Sequence, residues 1–159
     1  MINRKPIIAH QLDEAIKINI KSVYILLGYK GNLIETFVKK NYSSFFKLIF
    51  ITEKTPLGTG GAIKQLEMLL SERFMVFYSD IIFNINLKKF IEFDRKKDSI
   101  GSLVSHPNDH PFDSDLIETN DSNKIIKFHS YPHDKSIYLP NNVSAALYIL
   151  SPKIFKYIV

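Results

Sequence analysis

No cysteine occurs in these 159 residues, which excludes a disulfide framework and any thiolate-held metal. The absence fits a reducing compartment. No apolar run approaches the roughly 20 residues that a bilayer-spanning helix needs. The opening residues, Met1-Ile2-Asn3-Arg4-Lys5-Pro6, hold no apolar stretch of the kind a secretory signal requires. A soluble cytoplasmic chain with no membrane partner is therefore expected. Charge of one sign is not concentrated either. The net charge is +5, but Lys39-Lys40, Lys88-Lys89 and Lys96-Lys97 are separate pairs near predicted helix ends, as on solvated helix surfaces. No zinc-finger spacing, helix-turn-helix spacing or aromatic-and-basic stripe is present, so nucleic acid is not an expected partner. An anionic small-molecule substrate remains compatible with the mild positive charge. Internal repeats and low-complexity segments are also missing.

What is present begins with an ordinary globular composition, 45% hydrophobic and 23% charged. That is enough apolar material for one domain with a real core. Pro6 suits a helix start. Ile7, Ile8, Leu12, Ala15, Ile16 and Ile20 then follow a helical period. Ser22 to Leu27 reads as a strand, Gly28 to Gly31 as a turn, Asn32 to Lys40 as a helix and Phe46 to Thr52 as a strand. A helix follows from Thr59 or Gly60 to about Ser71. Arg73 to Tyr78 reads as a strand, Asn86 to Lys97 as a helix and Ile100 to Ser105 as a strand. This alternation with short links predicts an α/β fold, a mostly parallel Rossmann-like sheet with helices on both faces. After His106 the texture changes. The run Pro107 to Asp115 is rich in turn residues. Leu116 to Glu118 and Lys124 to His129 pair as strands around Asn120-Asp121-Ser122-Asn123. Tyr131 to Asn141 is irregular, Val143 to Leu150 is a strong strand, and Pro152 opens a closing helix. A division of one domain into residues 1–105 and 106–159 is expected.

The chain has only six glycines, and three of them fall within four positions, at Gly58, Gly60 and Gly61. A ligand can lie against a backbone that lacks Cβ atoms. The following strand ends at Tyr78-Ser79-Asp80. In an open α/β sheet, ligands bind beyond the carboxyl ends of the strands, so both features belong to one sheet edge. Amides around Gly60 and Gly61 would face a base or phosphate, and the Asp80 carboxylate suits Mg²⁺. Glycine and aspartate are also ordinary turn formers, and spacing alone leaves that reading open.

The stretches from Lys5-Pro6 through Gly28-Tyr29-Lys30-Gly31, Glu53 to Ala62 and Phe74 to Asp80 resemble the sugar-phosphate nucleotidyltransferase family. The resemblance covers nearly the whole chain. It implies transfer of a nucleoside monophosphate from a nucleoside triphosphate to a sugar 1-phosphate, with release of pyrophosphate and use of Mg²⁺. By that resemblance Glu53, Pro56, Leu57, Gly58, Thr59 and Gly60 line the nucleotide, and Asp80 is both catalytic and metal-binding. The segment His106 to Leu116 is similar to nucleotidyltransferases fused to haloacid-dehalogenase-type phosphatases, associated with heptose and mannose nucleotide sugars. This favours GTP and implies sugar-phosphate contacts from Asp109, Asp115 and Ser144.

The chain also departs from that pattern. The family's Gly-rich phosphate loop, with its arginine and the lysine that follows, would precede Met1. Its second metal-binding aspartate would follow Val159. Ser79 stands where glycine usually precedes the aspartate, Tyr131 where a lysine is expected, and Ser144 where an asparagine often meets the sugar. Phosphoryl transfer relies on positioned charge, each cationic group being worth about 10³-fold or more. The isolated chain is therefore expected to be weakly active or inactive. An absent first strand would expose an apolar slot and unpaired backbone, to be met by a homo-oligomer or a complementing N-terminal fragment. Two other readings stand beside this one. One is a non-catalytic nucleotide- or partner-binding remnant. The other is a metal-dependent hydrolase built on His106, His110, Asp109, Asp113 and Asp115.

Overall fold

Pro6, at φ −61° and an extended ψ, caps the first helix, α1 (Ile7–Lys17), without a side-chain bond. The computed structural model describes every residue except Lys54, Pro56, Lys135 and Val159. The apolar stripe of α1 buries Ala9, Leu12 and Ala15. Strand β1 (Ser22–Leu27) then leads through Gly28 into α2 (Gly31–Tyr42). Gly31 is held close to that strand: a Cβ there would lie 2.8 Å from the Leu27 Cβ. Strand β2 (Lys47–Thr52) pairs with β1 in parallel, from Ser22↔Lys47 to Leu27↔Thr52. Ala9, Leu12, Ile25, Leu27, Val38 and Tyr42 pack into one apolar cluster at this end.

The next helix, α3 (Gly58–Lys64), is only seven residues long. It gives way to tight turns rather than running to Ser71, with Leu66, Glu67 and Leu69 N–H groups donating three residues back, to the carbonyls of Ile63, Lys64 and Leu66. Glycines at three of its first four positions weaken it. Strand β3 (Phe74–Phe77), helix α4 (Leu87–Arg95) and strand β4 (Gly101–His106) follow. The Asn86 side chain caps α4 by accepting from Lys89 N–H. Asp94, almost fully buried, accepts from Arg73 Nε at 2.7 Å and Ser102 Oγ at 2.8 Å, tying α4 to the starts of β3 and β4.

Strands β5 (Leu116–Thr119) and β6 (Ile125–His129) form a hairpin, and β7 (Val143–Leu150) closes the sheet. Asn120 Oδ1 accepts from Ser122 and Lys124 N–H and so shapes the hairpin turn. The expected closing helix is a 3₁₀ stretch, Pro152–Lys156.

The expected mostly parallel sheet is corrected here. Among the described residues only β1 and β2 pair in parallel. The second sheet runs β3-β7-β5-β6 with β4 also on β7, and every pairing in it is antiparallel. Helix–strand alternation signals crossovers, but it cannot show that a strand from late in the chain runs back between β3 and β4. Strand β7 does so, and its irregularity near Ala146, where φ is 54°, accompanies a register shift between Leu103 and Ser105. Leu87, Phe90, Leu147 and Ile149 form a second apolar cluster. Between the two sheets lies an open trough of about 640 Å³, bounded by β1 on one side and β3 on the other.

Candidate functional site

The carboxyl ends of β1 and β2 lie together by parallel register, which sets Gly28 and Glu53 side by side. Glu53 N–H continues the ladder by donating to Leu27 O at 2.9 Å. Its side-chain Oε1 is buried, and among the described residues nothing donates to it. A buried carboxylate oxygen left without a donor costs stability on the order of 1–3 kcal/mol or more. Such an atom is suited to an N–H donor brought by a ligand.

Five residues on, the chain turns sharply at Gly58, where φ is +67°. Open space surrounds the position of a Cβ there, so glycine is required for conformation rather than for room. The N–H groups of Gly58, Thr59 and Gly60 fall in the first turn of α3 and have no intrahelical acceptor. Leu57 is exposed beside them. Pro56, expected to join this wall, lies outside the described residues.

Asp80 sits in an exposed turn just after β3. Among the described residues no donor reaches its carboxylate. Thr59 and Ser79 both line the trough, so the glycine-rich turn and the Asp80 turn border one depression. No three His, Asp or Glu side chains gather among the described residues. A single carboxylate still fits Mg²⁺, which is commonly held by one or two carboxylates, substrate phosphates and retained waters.

The residue that positions this turn was not foreseen. Gln11 of α1, with 7% of its surface exposed, donates from Nε2 to Tyr78 O at 2.6 Å and to Ile81 O at 2.9 Å. It straps both sides of the Asp80 turn to a helix of the other half. A signal existed: Gln11 is a polar residue inside an apolar stripe between Ile8 and Ala15.

A second group forms where β7 meets β3. The Tyr78 and Tyr148 rings lie 5.9 Å apart, and Ser144 Oγ is 3.0 Å from the Tyr148 hydroxyl. Burial pushes the Tyr148 phenol upward. The Ser144 hydrogen bond opposes this, while Tyr78 and the charge of Asp115 add to it. Asp115 also accepts from Tyr131 N–H at 2.8 Å. Asp115 and Ser144 are thus both brought toward Tyr148, and Tyr131 reaches Asp115 through its backbone. Asp109 is not. It is solvent-exposed and bonded to its neighbour His110 at 2.6 Å, which holds its carboxyl below the usual range. His106 Nδ1 contacts Pro107 O at 2.7 Å. The His106–Asp115 segment therefore builds no metal cage among the described residues.

The family profile described as Nucleotidyl transferase matches residues 1–159. A mannose-1-phosphate guanyltransferase of Aspergillus fumigatus is 27% identical over 158 residues, covering 96% of this chain and 43% of the relative. The solved structure of HddC from Yersinia pseudotuberculosis complexed with GMP-PN has a TM-score of 0.68 and 25% identity, covering 94% of this chain and 63% of that one. A putative glucose-1-phosphate thymidylyltransferase from Bacillus anthracis superposes with a TM-score of 0.86 at 17% identity, over 99% of this chain and 63% of its own. That likeness concerns the fold. The chain spans less than half the length of the curated relatives it matches.

Proposed function

The chain belongs to the nucleotidyl transferase family, and from that premise we propose that it forms the nucleotide-base and sugar-side walls of a sugar 1-phosphate guanylyltransferase site. The sugar is of mannose or heptose type, and the products are a nucleotide sugar and pyrophosphate. The observation that carries this reading is the buried, unpartnered Glu53 Oε1 beside the glycine-rich turn. Guanine presents adjacent ring and exocyclic N–H donors that match the two oxygens of a carboxylate, whereas adenine and cytosine offer only an amino group there. The 27% identity to a mannose-1-phosphate guanyltransferase supports the same base and sugar class.

Each residue has its part. Glu53 accepts from the base. Leu57 packs beside it, and Gly58 to Gly60 let the ligand approach the backbone. Asp80 would hold Mg²⁺, which lowers the negative charge of the triphosphate when bound. Gln11 fixes the turn that carries Asp80. Asp115 and Ser144 face the sugar phosphate with Tyr148, and Asp109 stays at the rim. No positively charged side chain of these 159 residues is assigned to the transferring phosphate, so they bind nucleotide but turn it over slowly by themselves.

Calorimetric titration of the chain with Mg²⁺ and each of GTP, ATP, CTP and UTP tests this. GTP binds best, and Glu53→Gln loses about ten-fold in affinity for GTP but little for UTP. Asp80→Asn removes the Mg²⁺ dependence. Equal affinity for all four nucleotides, unaltered by Glu53→Gln, overturns the base assignment. Pyrophosphate release from GTP and mannose 1-phosphate at ordinary enzyme rates overturns the slow turnover.

A further inference from the structure

Resting on the functional reading above, we propose that Lys64 is a positioning residue for nucleotide. It holds the glycine-rich turn in place from the segment that follows β7, without touching the ligand. Helix α3 has little means of holding itself. It is seven residues long, none of them buried, and no side chain caps it. Glycine at three of its first four positions lowers its helix propensity, and isolated helices of this length are not stable in water. A turn so constituted samples many conformations unless it is tied from outside. A ligand that needs one of those conformations then binds more weakly, by the fraction of time the turn spends in it.

Two ties reach α3 from the far end of the chain. Lys64 Nζ donates to Phe155 O at 2.6 Å, across 91 positions of sequence. The same ammonium pairs with the Glu67 carboxylate at 3.0 Å. Ile158 stands behind the turn, its Cγ2 3.5 Å from where a Cβ on Gly60 would lie. The anchor is itself firm. Phe155 is buried, and its ring stacks on Phe74 with 5.7 Å between centroids. Ser151, just before the 3₁₀ stretch, donates its N–H to Ile100 O at 2.7 Å, and its hydroxyl accepts from Lys153 N–H at 3.3 Å. The last carbonyls of a helical stretch lack partners within it, and a hydrogen bond given by a cation is stronger than a neutral one. The Lys64 cation is thereby committed to protein groups and is not free for a phosphate. Its effect on nucleotide passes through Gly58, Thr59 and Gly60, in the first turn of its own helix.

The test compares the 159-residue chain with Lys64→Met, which keeps the stem and removes the cation, and with Lys64→Arg, which restores a donor. Lys39→Met, at an exposed ion pair of α2, is the control. Two quantities are read. One is affinity for GTP with Mg²⁺ by calorimetry. The other is amide exchange without nucleotide at Ala62 and Ile63, whose N–H groups close on Gly58 O and Thr59 O in the helix. Lys64→Met speeds exchange at both amides by about ten-fold, weakens GTP binding by about ten-fold and leaves exchange in α4 and β7 as it was. Lys64→Arg returns both values to within about three-fold of the parent, and Lys39→Met changes neither. Unchanged exchange and affinity in Lys64→Met overturn the proposal. Weaker binding at unaltered exchange overturns it too, by putting Lys64 on the ligand itself. Faster exchange throughout the chain would make Lys64 a general stabiliser and overturn it as well. A parent chain that binds none of GTP, ATP, CTP and UTP, while Lys64→Met still loosens Ala62 and Ile63, sinks the functional reading and leaves the tie standing. GTP affinity that ignores a loosened turn sinks the positioning role alone.

Discussion

Gln11 and Glu53 are two polar side chains withdrawn from water for opposite reasons. Gln11 is satisfied by Tyr78 O and Ile81 O, whereas Glu53 Oε1 has no donor among the described residues. The first is a brace and the second an open demand. Gln11→Leu keeps the volume and removes both donors, leaving two carbonyls to find water. It is expected to lower stability by about 1–3 kcal/mol and to weaken Mg²⁺-dependent nucleotide binding while Asp80 itself is unchanged. Denaturant melts and the same titrations on the variant measure both. A loss of stability with undiminished binding would show that Gln11 supports only the core.

At the scale of elements, α1 and α2 are locked by the Tyr42 hydroxyl inside the first apolar cluster, which lies within hydrogen-bond distance of both Ala9 O and Asp13 Oδ1. Tyr42 donates to Asp13 Oδ1 at 2.9 Å, and Asp13 also pairs with Lys5. Burial, then the bond to Asp13 and its charge, push the Tyr42 phenol up to about 12. Burial acts to raise Asp13, but the bonds from Lys5 and Tyr42 outweigh it and hold the carboxyl below its ordinary 3.8. The signs give two windows. The raised Tyr42 contributes stability that is complete below pH 10.0 and is lost as pH rises toward about 12. The lowered Asp13 contributes stability that is present above pH 3.8 and is lost as pH falls through its folded value. Spectroscopic alkaline titration therefore shows late tyrosinates, of which Tyr42→Phe removes one. A titration unchanged by that substitution would contradict the assignment.

The same scale shows what could be read from the residues alone. The span of β1 and the hairpin around Asn120 follow from β-branched runs and turn chemistry, both local causes. The shortness of α3 was missed because its glycines were read for ligand approach and not for lost helix propensity. The antiparallel second sheet was missed for a different reason: β7 lies about seventy residues from β3 in sequence, and pairing at that range leaves no local trace. In the candidate site, Gly58 and Asp80 could be read as a glycine-rich turn and a carboxylate on one sheet edge, whereas Glu53 came only with the family resemblance. The grouping of Asp115 and Ser144 around Tyr148 depends on β7 and needed the structure to be seen.

For the whole molecule, the decisive fact is that most of its buried apolar residues fall into two clusters on either side of the trough. Gln11 reaches from α1 to Tyr78 O and Ile81 O, and Ile18, just after α1, packs against the second cluster. Leu12→Ala should cost about 2–5 kcal/mol, and the loss should be confined to the half that contains α1, β1, α2 and β2. Hydrogen exchange is expected to accelerate there while α4 and β7 amides keep their protection. Uniform acceleration throughout the chain would instead identify one cooperative unit.

The Gln11 brace has a mechanical consequence. The Asp80 turn grows from a strand of one half but hangs from a helix of the other. Any widening of the trough must pull on that turn before it breaks either cluster. On the role proposed for Asp80, its carboxylate becomes a strain gauge spanning a seam, and Mg²⁺ affinity is expected to fall as the two halves are drawn apart.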